Sequence, residues 1–123
     1  MRLRSDIFVA ALLRHAAVLG LAGALVQRGA EAAGAIFIEI DHLDGTVSLF
    51  GPAPPQDAEI ASQGREFVHL GAQPRMTSEE ARAMMARQTR YDPDLWHVAI
   101  EDRTGTEFTA LPGFGALRNQ TPD

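Results

Sequence analysis

Four histidines and sixteen carboxylate side chains supply most of the reactive groups in this chain, so their spacing is the first thing to read. His42-Leu43-Asp44 has the His-x-carboxylate spacing of half a two-histidine, one-carboxylate iron site, with His69 or His97 as the distal ligand. The simpler account is stronger, because Asp44 next to Gly45 is turn chemistry and three-letter metal spacings recur by accident. Asp92, Asp94, Glu101 and Asp102 gather around His97 along one predicted strand, as general acid/base pairs or a divalent-cation site would require. Strand alternation puts His97 and Glu101 on one face and Asp102 on the other, while Asp92 and Asp94 flank Pro93 in a loop. Turn formation and a solvated sheet face account for most of this cluster, so no catalytic residue, metal ligand or cofactor is assigned.

Arg82, Arg87 and Arg90, joined by Arg75 and Arg103, are a possible phosphate or acidic-protein contact. Helical angles bring Arg87 and Arg90 within about sixty degrees of each other and leave Arg82 on another flank, so a solvated face paired with Glu79 is the plainer reading. Trp96, Phe50, Phe67 and Tyr91 have the character of pocket or interface anchors, though core packing alone explains an aromatic on a strand. Ser48 lacks a nucleophile elbow, and Gly23, Gly29 and Gly34 match neither a dinucleotide loop nor a P-loop. The residues retained as ligand or interface candidates are Trp96, His97, Glu101, Asp92, Asp94, Arg87 and Arg90.

The elements that must position these groups are easier to read. AIFIEIDHLDGTVSLF, Ala35 to Phe50, holds two β-rich runs around Asp44-Gly45, the pair that suits a two-residue type I′ turn. Centred there, the turn sets Ile40 against Leu49 and His42 against Val47, so Ile36, Ile38, Ile40, His42, Val47 and Leu49 share one face. Ser5 as N-cap and Asp6 in the first turn start a helix over Ile7 to Leu19, apolar nearly all round, so that it is buried on most sides or packs on a second chain. Leu21 to Arg28 is ambiguous between helix and strand, with a short strand preferred. GPAPPQ at 51–56 interrupts the sheet, 58–63 is irregular, and Arg65 to Leu70 is a strand with Phe67 and His69 facing opposite to Val68 and Leu70.

Thr77-Ser78-Glu79-Glu80 is a capping box that opens a second helix, with Ala81, Met84, Met85, Gln88 and Tyr91 at helical spacing and an end before Asp92-Pro93. Leu95 to Ile100 is a strand with Trp96, Val98 and Ile100 on one face. A turn follows at Thr104-Gly105, then a short return through Phe108. The expected fold is α+β: an antiparallel sheet of four to five strands with both helices on one face, in the order α-β-β-β-β-α-β. Residues 1–111 form the single domain and 112–123 a flexible tail.

The chain has 123 residues, 46% of them hydrophobic and 22% charged, which suits one small core. Its formal charge of −5 argues against general affinity for nucleic acid or anionic membrane, and the absence of cysteine removes disulfides, thiolate metal sites and cysteine nucleophiles. All 11 basic residues are arginine, which GC-rich codon bias explains without phosphate recognition. The N-terminal segment imitates a secretory leader, but Asp6 in the n-region, Arg14-His15 within the apolar run and the glycines after it favour a buried helix.

RLRSDIFVAALLR, GAIFIEIDHLDGTVSLFGPAP and YDPDLWHVAIEDR together resemble the small proteobacterial proteins grouped as domain of unknown function 1491, in matching order from Arg2 to Arg103. The resemblance leads us to expect tryptophan in many relatives where this chain has Phe8. The resemblance implies a compact cytoplasmic domain and transfers no site residues. The functional expectation is a non-enzymatic cytoplasmic protein-interaction module, using apolar surface left by helix one or the proline-rich loop, with a protein partner or its own copy. The alternatives are an acid/base or metal-dependent enzyme or small-ligand binder at His97 and Glu101, and a nucleic-acid regulator acting through the helix-two arginines.

Overall fold

The computed structural model describes residues 3–53, 65–105 and 117–118. Their order is α1 (Ser5–Val18), β1 (Gly23–Gln27), β2 (Ile36–Asp41), β3 (Thr46–Pro52), β4 (Phe67–His69), β5 (Met76–Thr77), α2 (Ser78–Tyr91), β6 (Trp96–Glu101) and β7 (Leu117–Arg118). The expected 58–63 stretch, the return through Phe108 and all of the tail except 117–118 lie outside the described residues.

The fold is α+β, but the sheet is mixed rather than antiparallel, in the order β1-β6-β2-β3-β4-β7 with the short β5 also on β3. β6 runs antiparallel to β1 and parallel to β2, with Ile36 opposite Trp96 and Asp41 opposite Glu101. The route of α2 explains the parallel pair. β5 pairs with Thr46 and Val47, bringing the Ser78 amide to the Gly45 carbonyl at 3.2 Å, so α2 starts at the tip of the β2–β3 hairpin. It then runs back along the sheet and delivers β6 at the end where β2 also begins. WHVAIE, buried from Trp96 to Val98 and again at Ile100 with only its last residue exposed, takes the interior position between β1 and β2.

The helices lie on opposite faces, not together on one. Phe8, Val9, Leu12 and Ala16 of α1 pack on Ile36, Ile38, Ile40, Phe50, Phe67, Trp96, Val98 and Ile100. Ala81 and Met85 of α2 pack with Phe37, Val47, Leu49, Met76 and Leu95 on the other face. Strand alternation requires this: β2 and β3 carry large apolar residues on both sides, Ile36, Ile38, Ile40 and Phe50 on one and Phe37, Val47 and Leu49 on the other, so both faces need a cover. Tyr91, expected in line with the buried positions of α2, is 91% exposed at the helix end.

The hairpin forms with a different register. His42 N–H donates to the Thr46 carbonyl and Asp41 pairs with Val47, so the loop is the three residues Leu43-Asp44-Gly45. Leu43 (φ 62°) and Gly45 (φ 90°) take the left-handed conformations, and Asp44 Oδ1 accepts from both the amide and the hydroxyl of Thr46. The one-residue slip puts Ile40 opposite Ser48 and moves Val47 and Leu49 to the α2 face.

Helix two has its expected capping box: Thr77 Oγ1 accepts from the Glu80 amide at 3.0 Å and Glu80 Oε1 from the Thr77 amide at 2.9 Å. Helix one does not use Ser5 as its cap. The N-cap is Arg4, without a side-chain bond, and Ser5 is a buried first-turn residue whose hydroxyl donates to the Gly34 carbonyl at 2.6 Å. Burial between α1 and the start of β2 gives that hydroxyl a long-range acceptor. The segment Leu21 to Arg28 is a strand over Gly23–Gln27, and the expected strand at Arg65 to Leu70 shortens to Phe67–His69.

Candidate functional site

His97 and Glu101 lie on the α2 face of β6, and β2 adds two carboxylates beside them. His97 Nε2 is 3.0 Å from Glu39 Oε1, while Asp41 is the register partner of Glu101. Between them the surface is made of small residues, with Ala24 of β1 opposite Ala99 of β6. The α2 helix covers β3 and the lower part of this face, where Thr89 Oγ1 meets Gln27 Oε1 at 3.4 Å. Beyond it Ala24 and Glu101 are open to solvent. Among the described residues neither Asp41 nor Glu101 has a basic partner, although like charges opposed across a ladder repel.

The other candidates are dispersed. Asp92 and Asp94 sit in the turn that opens β6, where Asp92 Oδ1 accepts from the Asp94 amide at 3.0 Å, about 20 Å along the strand from Glu101. Trp96 points to the α1 face, buried, with Nε1 donating to the Ala30 carbonyl at 2.8 Å and the Arg28 guanidinium 5.1 Å over its ring. Arg82, Arg87 and Arg90 are exposed on α2, and Arg75 meets Asp44 at 3.4 Å. His42 and His69 are on the α1 side of the sheet and His97 on the α2 side, so the three histidines do not converge. Among the described residues no three His, Asp or Glu side chains stand close enough to share a metal ion. The Thr46 hydroxyl and amide hold the Asp44 carboxyl below its ordinary range, as turn chemistry would.

Sequence reading missed Glu39 and Asp41, although IFIEID alternates apolar and acidic residues and so marks a face. It also missed the most unusual surface here, the outer edge of β1. α1 stops at Gly20 (φ 77°), the Leu21 amide donates back to the Ala16 carbonyl at 2.8 Å, and the chain turns straight into β1. At the other end, Gln27 Nε2 reaches the Leu95 carbonyl at 3.2 Å, and Gly29 lies so near the Asp94 carbonyl that a Cβ would come within 2.3 Å of it. The strand is thus held at both ends.

The Glu101 amide donates to the Ala22 carbonyl at 2.8 Å, so by antiparallel alternation the polar groups of Ala24 also point inward and those of Gly23 and Leu25 point out. Nothing pairs with that outer side among the described residues. The strand GALVQ has no charge and no proline, Leu25 is 41% and Val26 56% exposed, and Val18 at the end of α1 is 79% exposed. A bulge between Leu25 and Gln27 is its one protective device.

The family described as protein of unknown function (DUF1491) matches residues 3–110. The chain belongs to the DUF1491 family. A crystal structure of a DUF1491 family protein from Caulobacter crescentus CB15 is similar at 30% identity and a TM-score of 0.74, over 96% of this chain and 99% of that one. The solution structure of protein Atu0922 from A. tumefaciens is 36% identical with a TM-score of 0.75, over 100% of both chains. No protein of curated function matches. This DUF1491 chain has, among the described residues, no helix long and apolar enough to cross a membrane.

Proposed function

We propose that this DUF1491 protein is a cytoplasmic protein-interaction module that takes up an extended partner segment along the outer edge of β1. The observation that carries the reading is an edge left unpaired by the described residues: an uncharged strand fixed at both ends, with outward-pointing backbone groups at Gly23 and Leu25 and exposed Leu25 and Val26. Such an edge is a template for strand addition, in which main-chain hydrogen bonds supply affinity and alternate side chains supply specificity. α1, the segment that imitates a leader, supports the cytoplasmic part of the reading, because Phe8, Leu12 and Ala16 are built into the core.

An acid/base enzyme gains no comparable support, since His97 is engaged by Glu39 and the aspartates of the opening turn lie at the far end of β6. The test compares affinity capture by the native chain and by Val26→Lys, which places a charge on the edge. The reading expects one protein to be lost with the variant while the thermal midpoint is unchanged. Retention of every partner by a folded Val26→Lys variant overturns it.

A further inference from the structure

We infer that the strand received by β1 alternates apolar with basic side chains and comes from a different protein, not from a second copy of this chain. The inference rests on the reading of β1 as a docking edge, and it comes from the difference between the two faces beside that edge. On the α1 face the edge presents Leu25 and calls for an apolar side chain. On the α2 face it presents Ala24, then Ala99, with Glu101 and Asp41 beyond them; Asp41 Oδ1 accepts from the Leu43 amide at 2.8 Å, and neither carboxylate has a basic partner among the described residues. An added strand lies about 4.8 Å outside β1 and about 9.6 Å from β6. A side chain on its α2 face has only the Ala24 methyl to cross before Glu101, a span that an arginine or lysine stem covers. The cation would relieve the repulsion between Glu101 and Asp41, which no basic group among the described residues does.

A second copy fits poorly. Its own β1 offers alanine and glutamine to the acidic face, and the bulge at Val26 breaks the alternation on both strands of a two-fold pair. A chain of net charge −5 also gains nothing electrostatically from meeting itself.

The test titrates the full 15N-labelled chain with the peptide Val-Arg-Val-Arg-Val-Arg and with its twin Val-Glu-Val-Glu-Val-Glu. The basic peptide is expected to shift the Gly23 and Leu25 amides, to bind about tenfold more tightly than the acidic one, and to weaken with added salt. Glu101→Gln should weaken it severalfold while leaving the thermal midpoint unchanged or slightly raised, since it also removes the repulsion with Asp41. Equal binding of both peptides at Gly23–Gln27 overturns the basic partner and leaves the docking edge standing. A homodimer in sedimentation equilibrium that Val26→Lys dissociates has the same consequence. If neither peptide binds, the basic-strand inference fails; if in addition Val26→Lys keeps every natural partner, the edge reading fails with it.

Discussion

His42 and Ser48 meet across the β2–β3 hairpin with Nε2 and Oγ 2.8 Å apart, and this buried contact exists only in the three-residue-loop register. His42 is 3% exposed, its Nδ1 has no partner among the described residues, and Gly105 passes so close that a Cβ there would lie 2.5 Å from the imidazole Cε1. Ser48→Ala should therefore leave both ring nitrogens unpaired in the interior and cost about 1–3 kcal/mol. Adding His42→Phe should recover part of the loss, because removing both polar partners costs less than removing one. Denaturant midpoints of the native chain and the two variants test this, and equal stability of all three would refute it.

Because α1 and α2 pack on opposite faces of the sheet, truncations under each should act independently. Leu12→Ala and Met85→Ala are each expected to cost about 2–5 kcal/mol. In the double variant the losses should add to within about 0.5 kcal/mol, as they do for distant sites. A large coupling energy in the double-mutant cycle would mean that the two cores share residues.

The capping box on α2 should be worth about 1 kcal/mol to the fold. Thr77→Ala is expected to lower the thermal midpoint by about 4 °C and to speed amide exchange at Glu80. Glu80 itself is held below the ordinary carboxylate range by the Thr77 amide, so the contribution of its ionised form is present at neutral pH and fades as pH falls through its lowered value.

Acid should weaken the fold well before the carboxylates titrate. Burial lowers the pKa of His69 below its ordinary 6.5, beside the Phe50 ring at 4.2 Å. As pH falls through 6.5 the unfolded chain takes up a proton that the folded chain still refuses, so stability drops over that interval. His69→Gln should flatten the slope of thermal midpoint against pH there; an unchanged slope would remove His69 from the account.

Gly29→Ala should detach the end of β1, since its Cβ would collide with the backbone of Asp94 and Leu95. Faster amide exchange at Gln27 and a lower thermal midpoint are expected. Gly23→Ala is the milder comparison, because its Cβ meets side chains and no backbone: the ends of Ile100 and Leu13 at 3.0 Å and the Ala16 methyl at 3.7 Å.

The sequence by itself determined the local elements. Thr77 to Glu80 specified the start of a helix through bonds that close within four residues, and the alternation in IFIEID and WHVAIE specified strands and their faces. It also determined the family, through segments whose order and spacing stand in the chain. Hairpin register was beyond it, because Asp44-Gly45 suits a two-residue loop as well as the three-residue one, and the choice fell to the burial of Val47 and Leu49 under α2. Only tertiary structure sent β6 between β1 and β2, which left β1 at the edge and set Glu39 and Asp41 beside His97 and Glu101. Those neighbours are some sixty residues apart in sequence, and long-range packing alone brings them together.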